Sequence, residues 1–155
     1  MKAPAHALMV ASLLALVGCG SLDVELDPLD AASVFVVQDL LPREPPGFTA
    51  YLHPTWQIYG TNDVEPVPPA LLQELGQTSG LPTYDYAALG RDSTAILLYL
   101  SSPSPRGADS IAAYGGWMGL THGDGGSAWG YEYSYRLRCD PKCVHLVEPG
   151  RSSWN

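Results

Sequence analysis

The residues best suited to chemistry in this sequence are a histidine and an aspartate in a short glycine-rich stretch. His122 and Asp124 lie in Thr-His-Gly-Asp-Gly-Gly-Ser, residues 121–127. An imidazole and a carboxylate in a loop of this kind are groups that a small hydrolase can use for acid–base catalysis. The same residue types are typical of a hairpin tip, where glycine supplies backbone conformations with positive φ. We interpret the stretch first as a turn, because a hydrolase centred on it also needs a Ser or Cys nucleophile within hydrogen-bond distance.

No motif elsewhere in the sequence identifies an enzyme. The chain contains no His-Glu-x-x-His, Walker A, Rossmann or Gly-x-Ser-x-Gly pattern, and His53 and His145 have no regular spacing to a carboxylate motif. The sequence therefore favours a domain that binds or scaffolds over one that catalyses, and we expect no cofactor and no metal.

Two cysteines near the end of the chain, Cys139 and Cys143, are separated by three residues. A disulfide between them would close a very short loop around Asp140-Pro141, a pair that favours a turn, and would stabilise the fold by about 2 kcal/mol. A thioredoxin-like redox pair has two intervening residues, and a metal site needs more ligands than these thiols and the nearby His145. We predict a disulfide, with free thiols and a metal site as the alternatives.

Aromatic side chains alternate with polar ones between positions 128 and 139. In a strand, the aromatic residues fall on one face and the polar or charged residues on the other. Such a face is either an exposed platform for a glycan or a partner protein, or the inner face of a sheet packed on a helix. We favour the inner face and keep the platform as the alternative. The aromatic row consists of Trp129, Tyr131, Tyr133 and Tyr135.

The segment 1–18 has the three parts of an export signal. Lys2 supplies one cation, residues 7–17 are apolar apart from Ser12, and small residues, Gly18 and Gly20, flank a cysteine. As a helix the apolar block would be about 16 Å long, which is too short to span the hydrocarbon core of a bilayer. We therefore predict that residues 1–18 are a signal peptide and are removed.

The end of this segment, Leu16-Val17-Gly18-Cys19, resembles the lipobox of bacterial lipoproteins at all four positions. The resemblance implies that a diacylglyceryl group is attached to the Cys19 thiol, that a peptidase cuts before this residue, and that the new amino group is acylated. Buried acyl chains contribute roughly 0.8 kcal/mol per CH₂, so such an anchor is durable. Cys19 is the expected lipidation site, and residues 19–27 are the expected lipidated N-terminus and tether.

The residue after the expected lipidation site indicates in which membrane the protein is anchored. In enteric bacteria an aspartate at this position retains lipoproteins at the inner membrane, whereas this sequence has Gly20. The resemblance therefore implies attachment to the outer membrane, on its periplasmic or its outer surface, in an organism that has one.

The charge of the chain excludes some partners. Loss of Lys2 with the signal leaves seven Lys and Arg against sixteen Asp and Glu, a formal charge of about −9. Because the chain has no basic cluster, it lacks the electrostatic footprint of a protein that binds nucleic acid or anionic lipid. The expected partners are the membrane, through the lipid, and an envelope protein or a glycan.

Local signals predict two helices. Asp27-Pro28 provides an N-cap and a first-turn proline for a helix over 29–41, although 34–37 is equally compatible with a buried strand. Pro68-Pro69 begins a second, short helix, for which Gly76 is the predicted end.

Strand signals occupy the rest of the chain. We expect a strand over 48–59 that is interrupted at Pro54, a central strand over 94–100, a hairpin of 110–120 with 128–139, a returning strand over 144–148, and a tail over 150–155. The small residues of the first hairpin arm, Gly115, Gly116 and Gly119, leave room for large rings across the sheet.

This order predicts an α+β fold: a small, antiparallel, curved sheet with one or two helices packed on one face, rich in loops, in a single domain over 28–155. The expected function is that of a lipid-anchored protein of the bacterial cell envelope with a binding or scaffolding domain. The last thirty or so residues, with a Tyr-x-Tyr strand, a turn, a short strand and Ser153-Trp154, also resemble small uncharacterised bacterial envelope proteins, which implies no activity.

Overall fold

A mixed β-sheet with helices on one face forms the α+β fold in the computed structural model, which describes residues 26–120 and 129–154. Residues 1–18, Cys19 and the tether up to residue 25 lie outside the described residues. The helices are α1 (Pro28–Leu40), α2 (Pro69–Ser79) and α3 (Tyr86–Leu89), with a 3₁₀ turn at Leu41–Arg43. The strands are β1 (Thr49–Leu52), β2 (Thr55–Gln57), β3 (Val64–Pro66), β4 (Ala95–Leu100), β5 (Ser104–Pro105), β6 (Ile111–Gly119), β7 (Trp129–Asp140), β8 (Lys142–His145) and β9 (Gly150–Trp154).

The two longest strands, β6 and β7, form the antiparallel centre of a sheet that has seven strands within the described ranges. Strand β6 pairs on its other side with β4 and, at its start, with β5. Strand β7 pairs on its other side with β8 at its end and with β9 at its start. The predicted hairpin and the strand over 94–100 are confirmed, and a returning strand is present, although it covers Lys142–His145 and not the predicted 144–148.

One edge of the sheet departs from the predicted antiparallel arrangement. Strand β1 runs parallel to β4, with Thr49 beside Ala95 and Leu52 beside Leu98. Parallel neighbours need a crossover connection, and here the connection contains α2, which packs against α1. Strands β2 and β3 form a separate two-stranded hairpin. The α+β class is confirmed, with a mixed sheet.

Helix α1 follows its sequence signals closely. The Asp27 carboxylate accepts a hydrogen bond of 2.7 Å from the Leu29 N–H, and Pro28 occupies the first turn. One side of the helix is buried on the sheet, through Ala32, Ser33, Val36, Val37 and Leu40. We call the face of the sheet that α1 and α2 cover the helix face. Its opposite is called the second face.

Helix α2 extends beyond Gly76, the residue at which the sequence predicted its end. It continues through Gly76 and ends at Gly80, which has a left-handed backbone conformation with φ of 71°. The Gly80 N–H donates to the Gly76 carbonyl over 2.9 Å, which closes the last turn. Gly76 has negative φ, so the helix passes through it, whereas Gly80 supplies the conformation that ends a helix.

The segment after Gly150 is a strand and not the predicted tail. Strand β9 pairs with the first half of β7, from Ser134 beside Gly150 to Gly130 beside Trp154. Strand β7 has 12 residues, and β8 pairs only with its last part, Leu137 to Asp140. Strand β9 therefore satisfies backbone groups of β7 that would otherwise lie on an open edge.

The glycines of β6 make room for different neighbours. A Cβ at Gly119 would lie 2.2 Å from the Trp129 ring, so this glycine does accommodate a cross-strand ring. A Cβ at Gly115 would instead approach side chains of Leu100 and Leu40, at 2.9 and 3.1 Å. The absence of a side chain at Gly115 thus allows α1 to lie close to the sheet.

Candidate functional site

The aromatic row lies on the helix face and is largely part of the core. Tyr133 and Tyr135 are buried, whereas Trp129 and Tyr131 are partly exposed. The Tyr135 hydroxyl donates to the Asp39 carboxylate of α1 over 2.9 Å. Because Tyr133 and Tyr135 are buried on the side that α1 covers, the four rings do not form one exposed platform, and the burial of these two rings supports the interpretation as an inner face.

A small cluster of polar side chains connects the end of α1 to the sheet. Asp39 accepts from Tyr135 and lies 3.2 Å from the Arg43 guanidinium and 3.5 Å from Nε2 of His145. The His145 ring stacks on Tyr135, with ring centroids 5.8 Å apart. Burial, reinforced by the hydrogen bond to Asp39, raises the pKa of Tyr135 above its usual range. We assign this cluster a structural role because each group contacts another member.

The hairpin tip that carries His122 and Asp124 lies outside the described residues. Strand β6 ends at Gly119 and β7 begins at Trp129, so the stretch connects two paired strands. The hydrolase hypothesis requires a nucleophile within hydrogen-bond reach of these two side chains, and it stays a prediction.

The predicted disulfide is present. Cys139 and Cys143 are directly opposite each other in the β7–β8 register, and their sulfur atoms are 2.00 Å apart. The bridge closes the turn around Pro141. It therefore restrains only the part of the sheet where β7 pairs with β8. In the described part of the chain, no three His, Cys, Asp or Glu side chains are grouped in a way that could hold a metal ion.

The most site-like feature is a cleft of about 350 Å³ on the second face of the sheet. Its sheet side is lined by Tyr99 of β4, Met118 of β6, Glu132 of β7 and Trp154 of β9. Its other side is lined by His53 and by strands β2 and β3 of the small hairpin, including the largely buried Trp56. Six strands and a loop thus bring aromatic, apolar and ionisable side chains to one concave surface, as ligand sites do.

A tyrosine and a glutamate form the polar centre of this cleft. The Tyr99 hydroxyl donates to Oε2 of Glu132 over 3.2 Å. Partial burial raises the pKa of Glu132, an effect that the hydrogen bond from Tyr99 opposes. Burial, with the nearby charge of Glu132, raises the pKa of Tyr99 beyond its usual range and that of Tyr114 to about 12. At neutral pH these tyrosines are therefore hydrogen-bond donors and not anions.

His53 lies on the opposite side of the cleft in a fixed orientation. Its Nδ1 is 3.2 Å from the Thr55 backbone nitrogen, and its Nε2 is 3.2 Å from the Tyr86 hydroxyl. Burial lowers the pKa of His53, against a smaller opposing effect of a backbone hydrogen bond to Thr55. The imidazole is thus neutral at pH 7.

The two tryptophans of the cleft are also held in place. The Trp154 ring meets Tyr99 edge to face, with centroids 5.8 Å apart and ring planes at 71°. The Trp56 indole N–H donates to Oε1 of Glu65 over 2.9 Å. A Cβ at Gly130 would lie 2.6 Å from Cζ2 of Trp154, so the ring occupies the space that a side chain at 130 would fill.

Sequence reasoning did not find this cleft. Glu132 is one of the polar residues that the alternation predicts on the face opposite the aromatic row, and it does lie there, but the sequence predicts a tail at Trp154 and gives His53 no regular spacing to a carboxylate motif. The available signal was the alternation in β7, which already directs Glu132 away from the core. The partners of Glu132 come from β4 and β9, and their proximity depends on strand pairing that no local pattern specifies.

A second groove, of about 370 Å³, lies where α1 begins, next to the disulfide. Its charged groups include Arg138, Asp140 and Asp27, and the last of these already caps the helix. It has no aromatic lining residue among those that the structure describes. The cleft on the second face is therefore the stronger candidate.

Comparison with protein-family models, with curated proteins and with solved structures found no match. Within 26–120 and 129–154, the structure contains no helix of the length and apolarity needed to cross a membrane.

Proposed function

We propose that this chain is a lipid-anchored protein of the bacterial cell envelope whose α+β domain binds a ligand without catalysing a reaction. In this proposal residues 1–18 are removed, the acylated Cys19 becomes the first residue, and the domain is held at the outer membrane by a short tether. The expected partners are the membrane, through the lipid, and an envelope component that the domain binds.

One observation carries the proposal: Cys139 and Cys143 are joined to each other in the fold. The sequence has three cysteines, so Cys19, at the fourth position of the lipobox-like motif, is the one that remains. A disulfide is compatible with the oxidising compartment to which a signal peptide directs a chain. The paired cysteines and the lipobox resemblance thus support the same location.

The cleft on the second face supports the binding half of the proposal. There Tyr99 and Glu132 are hydrogen-bonded to each other, and the neutral His53 lies within hydrogen-bond distance of the Tyr86 hydroxyl. The cleft offers ring surfaces and one carboxylate, which suits recognition. The platform alternative, which uses the row from Trp129 to Tyr135, loses support from the burial of Tyr133 and Tyr135.

Metabolic labelling of the expressed full chain with a clickable palmitate analogue tests the anchor. We expect the wild type to be labelled and Cys19→Ala to lose the label. The double variant Cys139→Ala/Cys143→Ala is the matched control, because it removes the other two cysteines and should keep the label. Label that persists in Cys19→Ala, or that disappears in the control alone, would reject the assignment of Cys19.

A further inference from the structure

The second-face cleft combines an anion and aromatic rings without a positive charge. Glu132 is half-buried, and no Lys or Arg of the described residues forms an ion pair with it. None of the described residues that line the cleft is a lysine or an arginine. The one basic side chain in the lining, His53, is neutral at pH 7 because burial lowers its pKa. A partly desolvated carboxylate in these surroundings is attractive to a cation.

The rings beside the carboxylate are arranged as two walls. Trp154 and Tyr99 meet at 71°, and the Tyr99 hydroxyl is hydrogen-bonded to Glu132, so the carboxylate lies next to the corner that the rings form. The faces of indole and phenol rings attract cations through their quadrupoles, and tryptophan does so most strongly. The aromatic rings and the Glu132 carboxylate therefore both favour a cationic ligand.

Local backbone structure builds this corner. Gly130 leaves the space in which the Trp154 ring lies, and β9 pairs with β7 so that Trp154 is directly opposite Gly130. Met118 of β6 adds a flexible, polarisable surface to the lining. The formal charge of −8 on the whole chain adds a field that attracts cations.

We propose that this cleft binds a small organic cation of the quaternary ammonium class, with the charged nitrogen next to Glu132 and its methyl groups against Trp154 and Tyr99. The methyl groups spread the charge over an apolar surface that fits ring faces. A divalent metal ion requires several oxygen ligands, and Glu132 is the single carboxylate among the described residues that line the cleft. This proposal rests on the binding function proposed above, and it adds the chemical class of the ligand that the cleft binds.

The test compares two probes of nearly the same shape. Choline carries a trimethylammonium group, and in 3,3-dimethylbutan-1-ol a carbon replaces the nitrogen, so the two molecules differ in charge. Each is titrated into the full chain, purified in a maltoside detergent, and binding is followed by tryptophan fluorescence and by the indole N–H signals in NMR spectra. We expect saturable binding of choline, at least about tenfold tighter than that of the alcohol.

Three variants locate the site. Trp154→Leu should weaken choline binding about 3- to 30-fold. Glu132→Gln should weaken it about tenfold while keeping an acceptor for Tyr99. Glu148→Gln is the matched control, because Glu148 is exposed and is not part of the cleft lining, and its choline affinity should equal that of the wild type. Circular dichroism and thermal unfolding of each variant separate loss of the ligand from loss of the fold.

Several outcomes would overturn the proposal. Equal affinity for choline and the alcohol would mean that the cleft recognises apolar shape alone. An equal loss in Glu132→Gln and Glu148→Gln would mean attraction by the net charge of the chain. The absence of a saturable change at about 50 mM choline would reject the ligand class. Because palmitate labelling measures the anchor separately, a chain that is labelled at Cys19 but fails to bind choline refutes the ligand alone.

Discussion

The Trp154 ring occupies the space above Gly130, its direct neighbour across the β7–β9 pair. A Cβ at position 130 would lie 2.6 Å from Cζ2 of Trp154 and 2.7 Å from the Trp117 carbonyl oxygen. The position of the ring, and with it one wall of the cleft, depends on a residue without a side chain.

Gly130→Ala should lower the free energy of unfolding by about 1–3 kcal/mol, because the new methyl group overlaps the indole and a backbone oxygen. Urea unfolding followed by tryptophan fluorescence measures the change. Gly150→Ala is the matched control in the same strand pair, since a Cβ there meets nothing within 4 Å and φ is not positive. Equal stability of the two variants would contradict the described position of Trp154.

Tyr135→Phe should destabilise the domain by about 1.5–3 kcal/mol, because it removes a hydrogen bond to the carboxylate of Asp39. Chemical denaturation measures this loss. Tyr51→Phe is a suitable comparison, because the Tyr51 ring packs edge-on against Tyr84 and its hydroxyl has no hydrogen-bond partner among the described residues. An equal effect of the two substitutions would mean that the contact between Tyr135 and Asp39 adds nothing.

Replacing Cys139 and Cys143 by serine should lower the free energy of unfolding by about 2 kcal/mol, because the bridge restricts only a short loop of the unfolded chain. The fold should persist, since Cys139 and Cys143 are partly exposed and only border the helix-face core. Intact mass after alkylation, with and without prior reduction, checks the bridge itself. Two alkylated thiols at these positions in unreduced protein from the periplasm would disprove the disulfide.

The stability of the domain should fall as the pH drops below about 6.5. Burial lowers the pKa of His53 in the fold, so below the ordinary value of 6.5 the unfolded chain binds a proton that the folded chain does not. The contribution of neutral His53 is therefore complete above pH 6.5 and is lost as the pH falls towards the pKa of the folded state.

Thermal unfolding of the wild type and His53→Gln between pH 7.5 and 5 checks this dependence. The variant should show a flatter profile over this range. Glu132 acts in the opposite direction, because its raised pKa favours proton binding by the folded chain as the pH falls further. Parallel profiles of the two proteins would exclude His53 as the source of the slope.

Sequence patterns predicted the elements that depend on local signals. Asp27 and Pro28 indicated the start of α1, and the hairpin was expected from two strand-like runs around a group of turn formers. The disulfide followed from spacing and an expected oxidising compartment. These features need little information from distant residues.

Features that depend on distant pairing were not predicted. The parallel edge strand β1 and the closing strand β9 find their places only through β4 and β7. The cleft combines Tyr99 and Glu132, which are 33 positions apart in the sequence, with Trp154 at the far end of the chain. Single-residue patterns indicate which face Glu132 occupies, but they cannot specify its neighbours.

The contacts of α1 with the sheet also set an order of assembly. The carbonyl of Leu40 accepts from the Trp117 indole, 77 positions later, and Asp39 accepts from Tyr135, 96 positions later. Until β6 and β7 have formed, the helix has no apolar surface of the sheet to cover, and closing such long loops is slow. During synthesis, which proceeds from the N-terminal end, α1 emerges before the strands that it covers and is therefore among the last of the described elements to be buried.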